Sequence, residues 1–190
     1  MNKLVLVRHG QSMGNAWEGA YADDDMNFLT PMGIAQAEVA GWKLQYTGLK
    51  FANMVSSTLT RARQTMAIMA HVTGDWQRRF VLDRRFDERD MNPIYNAEQR
   101  KHVEYLHIQD VTEAYNETVL PLLDEGNVLL VTHHYTMEVL FPILGIEMPM
   151  LLVDGNMEPR IPNAVPYVLD MSTRELIVID DFNKTPRIVV

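Results

Sequence analysis

The chain contains no cysteine among its 190 residues. This excludes disulfide bonds, metal or iron–sulfur sites with cysteine ligands, and catalysis by a thiol. Long apolar runs are absent as well. The N-terminal run covers only residues 4–7 before Arg8, which is too short for the apolar region of a signal peptide, and nowhere do roughly 18 apolar residues follow one another, as a membrane-spanning helix requires. We therefore expect a cytoplasmic protein with no membrane partner.

Basic residues are in the minority. The 17 lysines and arginines face 25 acidic residues, so the formal net charge is -8. A diffuse basic surface for binding nucleic acid is excluded, and an anionic ligand would need arginines concentrated at one place. The sequence also lacks low-complexity tracts, internal repeats and long linkers rich in Gly, Ser or Pro. We expect one domain over residues 1–190 and no nucleic-acid partner.

Short apolar runs rich in Val and Leu predict buried strands at residues 4–7, 51–56 and 128–132. Helical patterns follow each of them. Thr30 and Pro31 predict the start of one helix, Ser57 is the expected cap of the next, and a third runs from about residue 135 to its end at Gly145. Residues 92–125 favour helix, and two further strands are expected at 167–171 and 176–180. The alternation predicts an α/β fold with a mostly parallel central sheet.

Three polar clusters come directly after the predicted strands. They contain Arg8 and His9, then Arg61 within residues 56–65, then His133. Ligands of such sheets bind outside the carboxyl ends of the strands, so the three loops are expected to converge on one crevice. Two arginines and two histidines would then meet in a chain that is acidic overall.

This set of side chains suits phosphoryl transfer. A neutral imidazole can attack phosphorus and form a phosphohistidine, which divides one difficult displacement into two easier ones. Arginines bind the phosphoryl oxygens through paired donors and offset their charge. A protonated second histidine adds another donor, and a carboxylic acid can protonate the leaving oxygen.

The same residues resemble the histidine phosphatase superfamily, in its phosphoglycerate mutase-like branch. The matching segments are Val7-Arg8-His9-Gly10-Gln11-Ser12 with Asn15, Leu29-Thr30-x-x-Gly33-x-x-Gln36-Ala37, Ser56-Ser57-x-Leu59-x-Arg61-Ala62-x-Gln64-Thr65, Val131-Thr132-His133 and the stretch 161–170. The resemblance implies a three-layer sandwich with a mostly parallel central sheet and a short helical cap inserted at about residues 89–126.

The resemblance also implies a role for each matching residue. His9 is the expected nucleophile, and Glu88 is the expected acid and base. The other expected contacts to the phosphoryl group or the substrate are Arg8, Asn15, Arg61, His133 and His134. Glu88 could instead be a surface carboxylate paired with a neighbouring arginine, Asn15 could stabilise a turn, and His134 could be structural.

Departures from the family pattern bear on the activity. His134 stands where the family usually has Gly after the second histidine, and Glu138 stands where mutases have Arg. The stretch 89–132 is also shorter than the insertion with which mutases enclose phosphoglycerate. These differences favour a phosphatase acting on a small phosphorylated metabolite. The alternatives are a phosphoglycerate mutase and a catalytically weak protein that binds phosphate esters.

No metal or cofactor is expected. His71, His102 and His107 are interpreted as ordinary histidines on helix surfaces, and no HExxH or equivalent ligand spacing supports a zinc site. The Gly-rich loops of the two common nucleotide-binding motifs are also missing. A small phosphorylated substrate is the expected partner, and a homodimer is left open because many members of the family form dimers.

Overall fold

The computed structural model of the chain describes residues 2–16, 26–89, 96–153, 156–159, 161–179 and 187–189. The strands are β1 (Lys3–Arg8), β2 (Asn53–Ser56), β3 (Arg79–Leu82), β4 (Val128–Thr132), β5 (Met150–Val153), β6 (Asn156–Pro159), β7 (Pro166–Asp170), β8 (Leu176–Val178) and β9 (Arg187–Val189). The α-helices are α1 (Met13–Ala16), α2 (Pro31–Tyr46), α3 (Thr60–Thr73), α4 (Ala97–Ala114), α5 (Leu120–Glu125) and α6 (His134–Ile143).

The central sheet has seven strands in the order β3-β2-β4-β1-β7-β8-β9. The first four strands in this order run parallel to one another, and the remaining pairs are antiparallel. The direction therefore reverses at β7 and β9, while β8 runs with the parallel group. The predicted α/β fold with a mostly parallel central sheet is confirmed. Strands β5 and β6 form a separate antiparallel pair.

Helices cover both faces of the sheet, because successive residues of β1 point to opposite sides. Val5 and Val7 pack in one buried cluster with residues of α2 and α3, whereas Leu4 and Leu6 pack in another with residues of α4, α5 and α6. Every one of these four β1 side chains is fully buried. The result is the three-layer arrangement that the sequence predicted.

Local signals account for most helix boundaries. Thr30 caps α2 through its hydroxyl, which accepts from the Gly33 N–H, and Pro31 occupies the first turn as expected. Helix α6 starts at His134, one residue earlier than predicted, and Gly145 follows its end with a φ of 68°. The predicted Ser57 cap of α3 is wrong. Leu59 precedes this helix without a side-chain cap, because the Ser57 hydroxyl is bound elsewhere.

The helical prediction for the middle of the chain holds over residues 97–125. Helix α4 passes into a π-helical turn at Tyr115–Val119 and then into α5. Pro121 is the second residue of α5, and because it has no N–H it cannot donate a hydrogen bond to the preceding π-helical turn. The expected cap at residues 89–126 stays a prediction, and residues 90–95 lie outside the described residues. In the described part of the chain, every helix is too short or too polar to span a bilayer.

Candidate active site

The polar clusters predicted at three strand ends lie side by side. Arg8 is paired with Thr132 across β1 and β4, and Ser56 with Val131 across β2 and β4. The backbone hydrogen bonding between β1 and β4 continues one residue beyond β1, since the His9 N–H donates to the Thr132 carbonyl at 2.9 Å. The imidazole rings of His9 and His133 consequently lie 5.1 Å apart. The expected convergence is therefore present.

The loop after β1 is held against α2 by a close approach between two backbones. A Cβ placed on Gly10 would lie 2.4 Å from the Gly33 carbonyl oxygen, and one on Gly33 would lie 2.0 Å from the Gln11 carbonyl oxygen. No side chain fits between the two segments. The Gln36 amide oxygen accepts from the Gln11 N–H at 2.8 Å, which fastens the loop that carries His9.

The hydrogen bonds of His9 define which of its nitrogens can react. Nδ1 lies 2.7 Å from the Gly10 carbonyl oxygen, which only accepts hydrogen bonds, so Nδ1 carries the proton. Nε2 therefore presents its lone pair. The Arg61 Nε–H donates to this lone pair at 3.2 Å, so this hydrogen bond has to break before Nε2 can form a bond to phosphorus.

His9 is also kept neutral by its surroundings. The side chain is 1% exposed, and burial, followed by the charges of Arg61 and Arg8, lowers its pKa well below the usual value. A neutral imidazole retains the lone pair that a nucleophile needs. The site thus combines an available nitrogen nucleophile with nearby positive charge.

The two arginines are fixed from different elements. Arg61 lies in the first turn of α3 and is 6% exposed, and its Nη2 is 3.5 Å from Glu88 Oε2. Arg8 ends β1 and donates from Nη1 to the Ile161 carbonyl at 2.9 Å. Burial lowers the pKa of Arg8, although an arginine stays protonated at neutral pH. Both guanidinium groups can therefore bind phosphoryl oxygens.

Glu88 reaches the same place from the loop after β3. Its Oε1 accepts from the Tyr135 N–H at 3.1 Å, in the first turn of α6. Its Oε2 is 3.9 Å from His133 Nδ1. The side chain is 29% exposed, so solvent can exchange protons with it. This is the placement expected for an acid and base beside the nucleophile.

His133 is fully buried, and its two ring nitrogens differ in their contacts. Its Nε2 lies 2.7 Å from Ser57 Oγ, whereas its Nδ1 has no hydrogen-bond partner among the described residues. Burial is the main reason that its pKa is lowered well below the usual value, with smaller contributions from His9, Arg61, Arg8 and His107. The unpartnered Nδ1 is on the side of the ring nearest Glu88.

The remaining predicted contacts lie at the rim of the site. Asn15 is exposed, and its Oδ1 accepts from the Ser12 N–H at 3.2 Å, which is the turn-stabilising role; its contact with phosphate stays a prediction. His134 is half-buried, with Nδ1 3.7 Å from Glu138 Oε1. It lines a cavity of about 410 Å³ together with Arg8, Gln36 and Asn163. A second cavity of about 390 Å³ is lined by Glu88 and by neighbouring residues of both charges.

A metal ion is a further possible occupant of the site. Ligand atoms of His9, Glu88 and His133 lie within 4.8 Å of one another. However, the Arg61 guanidinium contacts both His9 and Glu88, and it would repel a cation there. The positive charge of Arg61 makes this place better suited to an anion than to a metal ion.

Several supporting residues were given no role by the sequence. Asn163 donates from Nδ2 to the His9 carbonyl at 2.8 Å, and Thr65 Oγ1 accepts from the Gly10 N–H at 3.0 Å. Ser57 and Thr65 lie in the segments that carry the family resemblance, which is the signal that could have found them. Asp87 supports the site by accepting a hydrogen bond from the Ser57 hydroxyl at 2.7 Å. It lies outside those segments, and only its position beside Glu88 could have indicated a role for it.

The interpretation of His107 as a surface histidine is wrong. Its side chain is fully buried, stacks on Tyr135 with ring centroids 4.9 Å apart, and lies 3.4 Å from Thr136 Oγ1. It faces inward because it shares the buried side of α4 with Val111 and Ala114. His71 and His102 are exposed, as predicted.

Comparison with known proteins agrees with this geometry. The model of the histidine phosphatase superfamily (branch 1) matches residues 4–119, a span that includes His9, Arg61 and Glu88. The chain belongs to this superfamily. The matched span contains the first three segments on which the resemblance was based, together with β3 and most of the helical region that follows it, whereas Val131-Thr132-His133 and residues 161–170 lie outside it.

Relatives of this superfamily member include mutases and phosphatases. A 2,3-bisphosphoglycerate-dependent phosphoglycerate mutase from Rhizobium rhizogenes is 30% identical over 187 residues, covering 92% of this chain and 82% of the mutase. The matches to two other bacterial mutases are shorter, and the chain spans only 43% and 44% of their lengths.

Solved structures show the same fold at lower identity. Bacillus stearothermophilus YhfR superposes with a TM-score of 0.65 at 18% identity, covering 94% of this chain and 95% of that protein. A phosphoserine phosphatase from Entamoeba histolytica, solved with 3-phosphoglyceric acid, gives a TM-score of 0.64 at 19% identity, covering 97% and 98%.

Proposed function

We propose that this superfamily member hydrolyses a small phosphate monoester through a phosphohistidine at His9. The observation that carries the proposal is the state of the His9 ring: Nδ1 is bound to a carbonyl oxygen, and Nε2 offers a lone pair beside the Arg61 guanidinium. A ring fixed in this way is poised for attack on phosphorus, because the nucleophile needs no deprotonation.

In the first step, His9 Nε2 attacks the phosphorus atom, so that a P–N bond forms and the ester P–O bond breaks. Arg8 and Arg61 offset the negative charge on the phosphoryl oxygens. The leaving oxygen takes a proton from Glu88, and the alcohol departs. In the second step, Glu88 removes a proton from water, whose oxygen attacks phosphorus. The P–N bond breaks, inorganic phosphate leaves, and His9 is neutral again.

The cavity beside Arg8 supports a phosphatase more than a mutase. Arg8 is the only arginine or lysine among the described residues that line this cavity. Glu138 adds negative charge near this cavity through its contact with His134. A second anionic group on the substrate, such as the carboxylate of phosphoglycerate, would therefore gain little there.

The test is hydrolysis of 4-nitrophenyl phosphate in EDTA from acid to neutral pH, together with an assay for conversion of 3-phosphoglycerate to 2-phosphoglycerate. We expect hydrolysis that survives chelation, is lost in His9→Ala and is retained in His71→Ala, a control at an exposed histidine. Hydrolysis that requires a metal, or that His9→Ala retains, would refute the proposal.

Two other outcomes identify the alternatives. Formation of 2-phosphoglycerate without net hydrolysis would identify a mutase, in agreement with the names of the bacterial relatives. Tight binding of phosphate esters with no turnover of any of them would identify a binding protein, in which His134 and Glu138 have replaced the usual Gly and Arg.

A further inference from the structure

Ser57 lies between two ionisable groups inside the site. Its hydroxyl oxygen is 2.7 Å from Asp87 Oδ1 and 2.7 Å from His133 Nε2. Ser57 and His133 are both fully buried, so water does not compete for these contacts. The three side chains form a continuous chain of hydrogen bonds that leads from the loop after β3 to the second histidine.

The number of available protons determines which group donates in each of these hydrogen bonds. Asp87 already accepts from the Thr58 N–H at 2.7 Å and from the Thr58 hydroxyl at 2.6 Å, and a carboxylate has only acceptors to offer. Ser57 has one proton. If Ser57 gave it to His133, two oxygens would face each other at 2.7 Å with no proton between them. The Ser57 proton therefore goes to Asp87, and His133 Nε2 carries a proton that it donates to Ser57.

This assignment leaves His133 Nδ1 as the nitrogen that faces the site. In the neutral ring Nδ1 has a lone pair, and it has no partner in the described part of the chain. A lone pair repels a phosphoryl oxygen. His133 must therefore gain a proton at Nδ1 before it can donate to a bound phosphoryl group.

The groups that face His133 determine how readily this proton is taken up. His9, Arg8 and Arg61 oppose it, as does His107 from α4. Glu88 lies on the Nδ1 side and Asp87 lies behind Ser57 on the Nε2 side. A phosphoryl dianion in the site would favour the proton, and so does the negative charge of Asp87, which polarises Ser57 toward the imidazolium.

We propose that Asp87, acting through Ser57, is a positioning residue that keeps His133 Nδ1 directed at the phosphoryl group and stabilises the imidazolium formed when phosphate binds. The inference rests on the proposed phosphoryl site, and it adds two residues to it. Asp87 does not touch the substrate. It makes the second histidine a hydrogen-bond donor only when an anion is present.

The first test compares Asp87→Asn with the wild-type protein. Asparagine keeps an oxygen that can accept from Ser57 and from the Thr58 N–H, so the variant removes the charge and preserves the size. We expect kcat/KM at neutral pH to fall roughly 10- to 100-fold, the range for losing a hydrogen bond to a charged group. The alkaline limb of the pH profile of kcat, which reports the enzyme–substrate complex, should move to lower pH because the imidazolium is less stable in the variant.

Two further variants separate this role from a structural one. Asp83→Asn removes the same charge from the start of the same loop, where Asp83 is bound to Arg85 rather than to Ser57. We expect the alkaline limb of its pH profile to stay where it is in the wild-type protein. Ser57→Ala should lose activity that Ser57→Thr recovers, since threonine retains the hydroxyl. A uniform loss at every pH in Asp87→Asn, with no shift of the limb, would overturn the proposal.

A second measurement is independent of turnover. Imidazole ¹⁵N NMR of His133 during titration with inorganic phosphate should show proton uptake at Nδ1 in the wild-type protein and reduced uptake in Asp87→Asn at the same occupancy. If this result holds while no ester is hydrolysed, the proposed function fails and the role of Asp87 stands. If phosphate binds and leaves His133 neutral, the role of Asp87 is refuted.

Discussion

The chemistry of the candidate site depends on which nitrogen of each imidazole carries a proton. In His9 the Gly10 carbonyl places the proton on Nδ1, whereas in His133 the Ser57 hydroxyl places it on Nε2. In the proposed mechanism, two residues of the same type thereby have different functions. One is prepared as a nucleophile, and the other can become a donor to phosphate.

At the residue scale, Glu88→Gln tests the proposed acid and base. We expect turnover of an alkyl phosphate to fall about 10²- to 10⁴-fold, the usual contribution of proton transfer. With 4-nitrophenyl phosphate the first step should survive, because nitrophenolate leaves without a proton, and slow attack by water should then give a burst of nitrophenol. Stopped-flow absorbance measures the burst.

The control for this variant is Glu125→Gln, at an exposed carboxylate that contacts Arg79, and it should retain wild-type kinetics. Glu88 would be excluded as the acid and base if Glu88→Gln turned over both substrates at the wild-type rate. An equal loss on both substrates with no burst would show that Glu88 holds the site together and does not transfer protons.

The predicted residues His9, Arg61 and His133 could be found from sequence because each lies in a polar cluster shortly after an apolar strand and within a segment that resembles the family. Asp87 and Ser57 could not be assigned in the same way. Their function depends on a hydrogen bond between residues 30 positions apart, and this contact exists only after the loop from β3 folds over the end of β2. Sequence periodicity carries no information on such pairs.

At the scale of whole elements, the entry of α2 sets the position of the His9 loop. The first turn of α2 meets the loop backbone to backbone at Gly10 and Gly33, where a Cβ would lie within 2.4 Å and 2.0 Å of carbonyl oxygens. The helix can therefore move only together with the nucleophile.

Gly33→Ala should consequently destabilise the fold and lower activity. Forcing a methyl group into a packed contact costs roughly 1–3 kcal/mol of unfolding free energy, and the displaced loop carries His9. Urea denaturation and aryl phosphate hydrolysis provide the two measurements. Glu38→Ala, at an exposed position of the same helix, should change neither. A Gly33→Ala protein with wild-type stability and activity would show that this contact is not tight.

Strand β3 and the burial of His107 could not be predicted from the sequence, for opposite physical reasons. Strand β3 has four residues and lies at the edge of the sheet, and its apolar run of three residues, 80–82, is shorter than the runs that predicted β1 and β4. Its parallel pairing with β2 is what establishes it as a strand. His107 was misassigned for the opposite reason, since a polar residue on the buried side of α4 gives no apolar signal.

At the scale of the whole molecule, buried neutral histidines connect stability to pH. Burial lowers the pKa values of His9, His107 and His133 in the folded protein. Below about pH 6.5, the usual value for an exposed histidine, the unfolded chain binds protons that the folded protein excludes. Stability should therefore fall as the pH drops below about 6.5, and these groups should contribute no pH dependence above it.

This effect is measurable as the free energy of unfolding in urea between pH 7.5 and pH 5. Each such histidine contributes at most about 1.4 kcal/mol per pH unit. His107→Gln should reduce the slope, whereas His102→Gln, at an exposed position of the same helix, should not. A slope identical in the wild-type protein and His107→Gln would show that His107 takes up its proton without unfolding the protein.

The proposed covalent bond between phosphorus and one nitrogen atom of His9 can be detected by trapping the phosphoenzyme. The protein is mixed with 4-nitrophenyl phosphate in EDTA, quenched in alkali, where phosphohistidine is stable, and analysed by peptide mass spectrometry. We predict an acid-labile phosphoryl group on the peptide that contains His9, increased in Glu88→Gln and absent in His9→Ala. Turnover without a phosphoryl group on His9 would contradict the account.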